Sequence, residues 1–458
     1  MTDNIITRNP TTGETLATYP LQTPAEVDAA LQQSAEAFSQ WRATPLAQRV
    51  QVLRQLAEQL RQRQDQLAAM ATREMGKPIA QARAEVLKCA HLCEWYAEHG
   101  PAMLADKPAM VENQQAWQAF RPLGVILAVM PWNFPYWQVL RGAVSMLLAG
   151  NTYVLKHAPA VMGCAGLMTE LFDATDLPAG GFTVINTDND GVSAVINDPR
   201  IAAVAVTGSV RAGSAIAAQA GAVLKKTVLE LGGADPFIVL ADADLDAAVA
   251  SAVAGRYQNT GQVCMAAKRF IIEESIAEAF ETRFSAAVQA LKIGDPMQEE
   301  TYIGPMARYD LRDELDRQVQ QTLQEGARLV LGGHKLEGAG NYYAPTILAD
   351  VTPAMTAFQQ EIFGPVAAIT VARDAEHALA LANNSEFGLS ATVWSRDETR
   401  AQQLADQLET GAVFINGNGA SDPRVAIGGV KKSGYGRELS SFGVHEFCNI
   451  QTIWKNRR

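Results

Sequence analysis

Apolar positions along this chain fall into two rhythms. N-terminal to Pro101 they recur at helical spacing. Val27, Leu31, Phe38 and Trp41 form one stripe behind Pro24, a residue suited to the first turn of a helix. Val50, Leu53, Leu56, Ala57, Leu60 and Leu67 continue the period and predict one longer helix. A third is expected over residues 83–99, stopped by Gly100-Pro101. Ahead of all three, Asn9-Pro10-Thr11-Thr12-Gly13-Glu14 reads as a tight turn between short strands.

From residue 123 short apolar runs take over, at 125–130, 152–155, 183–186 and 202–207, each followed by a helical segment. Buried strands alternating with helices predict crossover units and a parallel sheet covered on both faces. A second series begins after Gly233, with runs at 237–240, 270–273, 327–331, 367–371, 391–394 and 412–416, and predicts a second α/β domain. Residues 115–120 and 446–454 fit neither series. They are expected to be outlying strands that pair with another subunit, or else edge strands of the monomer.

A length of 458 residues exceeds what one hydrophobic core supports, so two or three domains are expected. The net charge of −11 argues against a general nucleic-acid surface, and Arg457-Arg458 is too short to reverse that. Five cysteines (89, 93, 164, 264 and 448) are too few and odd in number for a disulfide framework. Cys89 and Cys93 lie four apart on a helix with His91 facing elsewhere, which reads as two core thiols and no metal site. No basic segment followed by an apolar run opens the chain, and no stretch of about 18 residues lacks polar groups. A cytoplasmic protein without membrane contact is expected.

The candidate chemistry centres on Tyr257-Gln258-Asn259-Thr260-Gly261-Gln262-Val263-Cys264, which sets one cysteine behind a polar, glycine-containing run that is poor core material. Val228-Leu229-Glu230-Leu231-Gly232-Gly233 puts a carboxylate at the end of an apolar run, and Met130-Pro131-Trp132-Asn133-Phe134-Pro135 puts a side-chain amide in a proline-flanked turn. A thiol, an amide and a carboxylate are the parts needed to attack a carbonyl, hold its oxyanion and activate water. There is no Gly-x-Gly-x-x-Gly. Gly208-Ser209-Val210-Arg211-Ala212-Gly213 has wider glycine spacing and no following lysine, so it is not a nucleotide-hydrolase phosphate loop. A strand ending at Thr207 and a helix starting near Val210 would still aim free N–H groups at a pyrophosphate.

Seven elements, in order and near the expected spacing, give the chain a resemblance to the aldehyde dehydrogenase superfamily over essentially its whole length. They are Pro131-Trp132-Asn133-Phe134-Pro135, Lys156 after an apolar strand, Thr207-Gly208-Ser209, Glu230-Leu231-Gly232-Gly233, Gly261-Gln262-Val263-Cys264, Glu361-Ile362-Phe363-Gly364-Pro365-Val366 and Gly434-Tyr435-Gly436-Arg437-Glu438. Glu112-Asn113-Gln114-Gln115, Leu155-Lys156-His157-Ala158-Pro159 and Gly428-Gly429-Val430-Lys431-Lys432-Ser433-Gly434 resemble the bacterial NAD(P)-dependent succinate semialdehyde dehydrogenases within it. The resemblance implies an α/β fold with two parallel-sheet domains, one Rossmann-like for the cofactor and one catalytic, plus a small oligomerisation β element. It places the cofactor domain at 1–103 and 123–232, the catalytic domain at 233–432 and oligomerisation strands at 104–122 and 445–458. A homodimer or homotetramer is implied.

By the same resemblance Cys264 is the nucleophile, Asn133 the oxyanion donor, Glu230 the base that activates water and Glu438 a second acid that relays protons. NAD, NADP or both would be held by Trp132, Lys156, Pro159, Gly191, Gly208, Ser209, Leu231, Glu361 and Phe363. NAD-selective members usually carry Glu three residues after the lysine. Pro159 stands there instead, which removes a repulsion against a 2′-phosphate and leaves Lys156 and Arg211 to attract one. Arg141, Trp137, Gln258 and Ser421 are the expected substrate contacts, with Arg141 and Ser421 on a terminal carboxylate. A helix starting near Pro135 would put Asn133 and Arg141 about two turns apart on one side of a substrate tunnel. Several such enzymes have a further Arg six residues before the cysteine, where this chain has Gln258. The implied reaction is oxidation of succinate semialdehyde to succinate through a cysteine thiohemiacetal and thioester. The alternatives are another small aldehyde or ω-oxo acid such as glutarate semialdehyde, and, more remotely, a catalytically silent structural relative.

Overall fold

The computed structural model describes residues 4–112 and 115–456. Asn113-Gln114 and Arg457-Arg458, both singled out in the sequence, lie outside the described residues, as do Met1–Asp3.

The N-terminal strands Asn4–Arg8 and Thr15–Pro20 pair antiparallel around the predicted turn. The helix Pro24–Trp41 follows, opened by a capping box in which Thr23 and Glu26 satisfy each other's backbone N–H groups. The expected single long helix is two, Leu46–Gln62 and Gln64–Met75, broken at Arg63, whose φ/ψ of −103/17 leaves the helical region. Neither Gly nor Pro marks that break. The third helix is longer than predicted, Ile79–Met103, and runs through Gly100-Pro101. A Cβ on Gly100 would collide with Leu148, so this glycine permits close packing rather than ending the helix. Tertiary contact overrides the local stop signal.

Among the described residues one large sheet has six strands. Its order is Gly434–Tyr435, Lys226–Glu230, Ile201–Thr207, Val125–Met130, Thr152–His157, Phe182–Val184, all parallel except the first. The chain runs outward from Val125–Met130 in one direction and then returns to build in the other. The strand order therefore reverses between Val125–Met130 and Ile201–Thr207, and the carboxyl ends of such neighbours frame a crevice where ligands bind. A second sheet has seven strands, in the order Arg328–Leu331, Thr346–Ala349, Val366–Ala372, Ala267–Glu273, Asp235–Val239, Ser390–Trp394, Ala412–Ile415, parallel except for Arg328–Leu331. The sequence pattern anticipated these strands apart from Lys226–Glu230, Thr346–Ala349 and the short Gly434–Tyr435.

Gln115–Pro122 pairs antiparallel with both Lys107–Ala109 and Cys448–Lys455, forming a separate three-stranded sheet. Ile450 and Trp454 are exposed on it. Cys89 and Cys93 are buried in the helical core. Among the described residues no helix is long and apolar enough to cross a membrane, and no cluster of His, Cys, Asp and Glu has the makings of a metal site.

Candidate active site

Cys264 follows a turn that local propensity would not choose. Asn259, Thr260 and Gly261 all have positive φ, at 52°, 55° and 73°, and all three are buried. Such a run persists only when its surroundings over-determine it. Asn259 Nδ2 donates to the Asn133 carbonyl at 2.8 Å, its N–H donates to Gln81 Oε1 at 2.7 Å, and Arg256 donates to the Gly261 carbonyl at 2.7 Å. A Cβ on Gly261 would strike the Gly364 carbonyl, so only glycine fits. Lys268, itself buried, donates to the carbonyls of Val263 and Cys264 at 3.1 and 2.5 Å, clamping the backbone of Cys264 itself.

Asn133 Nδ2 donates to the Gln262 carbonyl at 3.0 Å, which ties this amide to the cysteine loop and leaves its second N–H for another acceptor. Asn133 precedes the helix Trp137–Ala149, so it and Arg141 are not two turns apart on one helix as expected from sequence. The intervening turn is held from below. Glu85 accepts the N–H groups of Tyr136 and Trp137, each at 2.9 Å, and forms a buried ion pair with Lys77. Lys77 in turn lies 3.7 Å from the Phe134 ring centroid.

Two cavities meet at Cys264, each of about 250 Å³. The first opens at the carboxyl ends of the first sheet, at its reversal point. Trp132, Asn133, Glu230, Leu231, Gly208, Ser209, Glu361 and Phe363 line it beside Cys264. Trp132 and Phe363 meet edge to face with centroids 5.8 Å apart. Ser209 caps the helix Val210–Ala222, whose N-terminus faces this space. Glu361 accepts the Gly233 N–H at 3.1 Å and pairs with Lys268 at 3.4 Å. The second cavity runs the other way, past Trp137, Arg141, Gln258 and Ser421. Gln138 lines both.

Three expected cofactor residues lie outside these linings. Lys156 and Pro159 sit on the same carboxyl edge of the sheet, since Lys156 is in register with Val129 two residues before Pro131. Lys156 has no ion-pair partner among the described residues. Gly191 does not join them. It lies in the first turn of the helix Asn189–Asn197, its N–H bonded to the capping Asp188 at 2.8 Å, and it lines a separate cavity of about 530 Å³ against the helix Pro24–Trp41.

Glu230 ends its strand with 4% exposure, and its Oε1 has no hydrogen-bond partner among the described residues. Burial pushes its carboxyl up to about 8; Arg141 and Arg437 pull against that while Glu438 adds to it. Burial likewise pushes the Cys264 thiol up to about 11, with Arg141 and Lys268 pulling it down. Shifts of this kind, gathered in a cleft, mark candidate catalytic groups.

Arg141 and Glu438 form a buried ion pair. The sequence assigned Arg141 to a substrate carboxylate and Glu438 to proton relay, yet each has the other as its nearest charge. We expect Arg141→Leu to destabilise the fold by about 3–5 kcal/mol, because it strands a buried carboxylate. Denaturant unfolding measures this. Unchanged stability would mean that Glu438 finds another partner or a proton at no cost.

Sequence reading passed over Gln138, Lys88 and Lys268. A usable signal existed for Gln138, because every residue of the helix Trp137–Ala149 is buried and a polar group on such a helix needs a reason to be there. Lys88 interrupts an apolar stretch of its helix, Val86 to Ala90, in the same way.

A model of the aldehyde dehydrogenase family matches residues 2–453. The chain is 66% identical over 452 residues to succinate semialdehyde dehydrogenase (NAD(P)+) Sad of Escherichia coli, covering 99% of this chain and 98% of that protein. It is 48% identical over 450 residues to a probable succinate-semialdehyde dehydrogenase (NADP(+)) of Synechocystis, covering 98% and 99%. The crystal structure of succinic semialdehyde dehydrogenase from Streptococcus pyogenes with NADP+ superposes with a TM-score of 0.96 at 38% identity, covering 98% of this chain and 99% of that one.

Proposed function

Since the chain belongs to the aldehyde dehydrogenase family, we infer that it oxidises succinate semialdehyde to succinate with NAD(P)+, and that Cys264 carries the acyl group between the two halves of the reaction. The observation that supports this most is the position of Cys264 at the junction of two cavities. One leads to a helix N-terminus suited to a pyrophosphate, the other to a cationic end suited to a carboxylate.

The lining of the first cavity suits the nicotinamide and phosphate portion of a dinucleotide. Thr207 Oγ1 and Glu230 Oε1 are buried there without partners, and a Cβ on Gly208 would meet nothing within 4 Å, which leaves room for a ligand's close approach. Trp132, Gly208, Ser209, Glu361 and Phe363 would hold it, with Lys156 beyond. When bound, the cofactor supplies the hydride acceptor. The Cys264 thiol gives its proton up to solvent, its sulfur adds as the thiolate to the aldehyde carbon, and the free N–H of Asn133 with the Cys264 backbone N–H donates to the developing oxyanion. Loss of hydride from that carbon leaves a thioester on Cys264. Glu230, once ionised, takes a proton from the water that hydrolyses it. The small aldehyde carries a terminal carboxylate, which lies towards Ser421 and Arg141. The sheet carrying exposed Ile450 and Trp454 joins subunits into a dimer or tetramer.

The test is reduced-nicotinamide absorbance on mixing the protein with succinate semialdehyde and either cofactor, against butanal as the uncharged comparison. A kcat/KM no greater for the semialdehyde acid than for butanal would remove the substrate assignment. With Pro159 in place of a carboxylate and Lys156 unpaired, both cofactors are expected to work. Their kcat/KM values should differ by less than roughly a thousandfold, or about 4 kcal/mol. A larger ratio in either direction would show that position 159 does not set the preference.

A further inference from the structure

We propose that Lys88 is the principal anchor for the substrate's terminal carboxylate, acting with Ser421 at the end of the cavity away from the cofactor. This rests on the reaction proposed above and goes beyond it, because Arg141 was the cation expected there.

The argument is one of charge balance. Three charged side chains line the substrate cavity, Glu85, Lys88 and Arg141. Glu85 is paired with Lys77, and Arg141 with Glu438. Asp422, next to Ser421, is taken by Arg424 at 2.7 Å. Lys88 alone has no carboxylate partner among the described residues. Its Nζ donates to Ser421 Oγ at 2.8 Å and lies 4.1 Å from the Trp137 ring centroid. A lysine ammonium has three N–H donors, so after Ser421 two remain for an anion. The hydroxyl of Ser421, accepting from Lys88, still has its own hydrogen to donate. Lysine and serine together therefore offer a carboxylate a charged and a neutral hydrogen bond side by side.

The environment favours binding an anion there. Lys88 is half-buried. Burial, the largest influence on it, pulls its ammonium down to about 8, and Arg141 pushes the same way against the upward pull of Cys89, Glu85 and Asp422. A substrate carboxylate would relieve this by neutralising the charge where it sits. Trp137 places its ring face beneath the ammonium and holds the lysine stem in the cavity wall.

The experiment compares wild type, Lys88→Met and Lys88→Arg on succinate semialdehyde and butanal with saturating cofactor. Lys88→Met should raise KM for succinate semialdehyde about 10–100-fold with little change in kcat, the size of one charged hydrogen-bond pair lost from uniform binding. The preference for the acid over butanal, as a ratio of kcat/KM values, should fall by the same factor. Lys88→Arg should retain most of that preference. If the Met variant does not fold, Lys88→Gln replaces it with the same expected fall in preference. Either an unchanged KM or a loss shared equally by both aldehydes overturns the proposal. A wild-type enzyme with no preference for the acid would instead refute the underlying substrate assignment, so the two failures are distinguishable.

Discussion

Cys264→Ala is expected to fold, to bind NAD(P)+, and to oxidise succinate semialdehyde at least about 10⁴-fold more slowly, the scale of loss seen when a catalytic nucleophile is removed. The first part follows from packing. Cys264 is only partly buried, and the contacts that hold its loop come from Asn259, Arg256 and Lys268 acting on backbone atoms, which alanine retains. The loss of rate follows because no other thiol is placed to substitute. Cys89, Cys93, Cys164 and Cys448 are all buried, and none lines either cavity that meets at position 264. Calorimetric titration with cofactor separates loss of chemistry from loss of binding. Reduced nicotinamide appearing at an undiminished rate would end the proposed mechanism. So would failure to bind cofactor, since the assigned defect is in chemistry alone.

Glu230→Gln should divide the reaction at its midpoint. Hydride loss does not need this carboxylate, and the proton that Cys264 sheds on attack can pass to solvent, whereas hydrolysis of the thioester needs a base beside the attacking water. Rapid mixing should show a burst approaching one reduced nicotinamide per site, followed by turnover about 10²–10⁴-fold slower than wild type, the usual contribution of a general base. The sign of the pH dependence follows from the carboxyl's environment. With burial pushing Glu230 up to about 8, the wild-type group is mostly protonated at pH 6 and mostly ionised at pH 9. Only the ionised form accepts a proton, so wild-type hydrolysis should accelerate as pH rises through about 8 and then level. Glutamine does not titrate, and the variant should lack that limb. A variant that slows the burst and the steady state equally would place Glu230 in the first half of the reaction instead.

The two predictions depend on groups of different legibility. Cys264, Glu230 and Asn133 were readable as chemistry from their neighbours, because glycine, proline and polar residues beside each are poor core material. The strands were readable because parallel strands buried on both faces are near-continuous apolar runs. The helix break at Arg63 was not, since neither glycine nor proline marks it, and the passage of a helix through Gly100-Pro101 was not, since it turns on packing against Leu148 further along the chain. The setting of Gly191 was not legible for a related reason. A glycine near a strand end is compatible with close ligand approach and with a capped helix turn alike, and the choice between them is made by the Asp188 side chain and the first helix.

Sequence by itself determined the α/β class and the number of large sheets, through periodicity, and pointed to the family through the resemblance of seven motif elements. The reactive groups proposed above rest on that resemblance. Tertiary structure alone decided which charge neutralises which. Arg141 and Glu438, nearly three hundred positions apart, form one buried pair, and Lys88, unremarked along the chain, is left as the uncommitted cation of the substrate cavity. The physical reason is that an ionisable side chain's role is set by its nearest opposite charge and its distance from water, and folding assigns both.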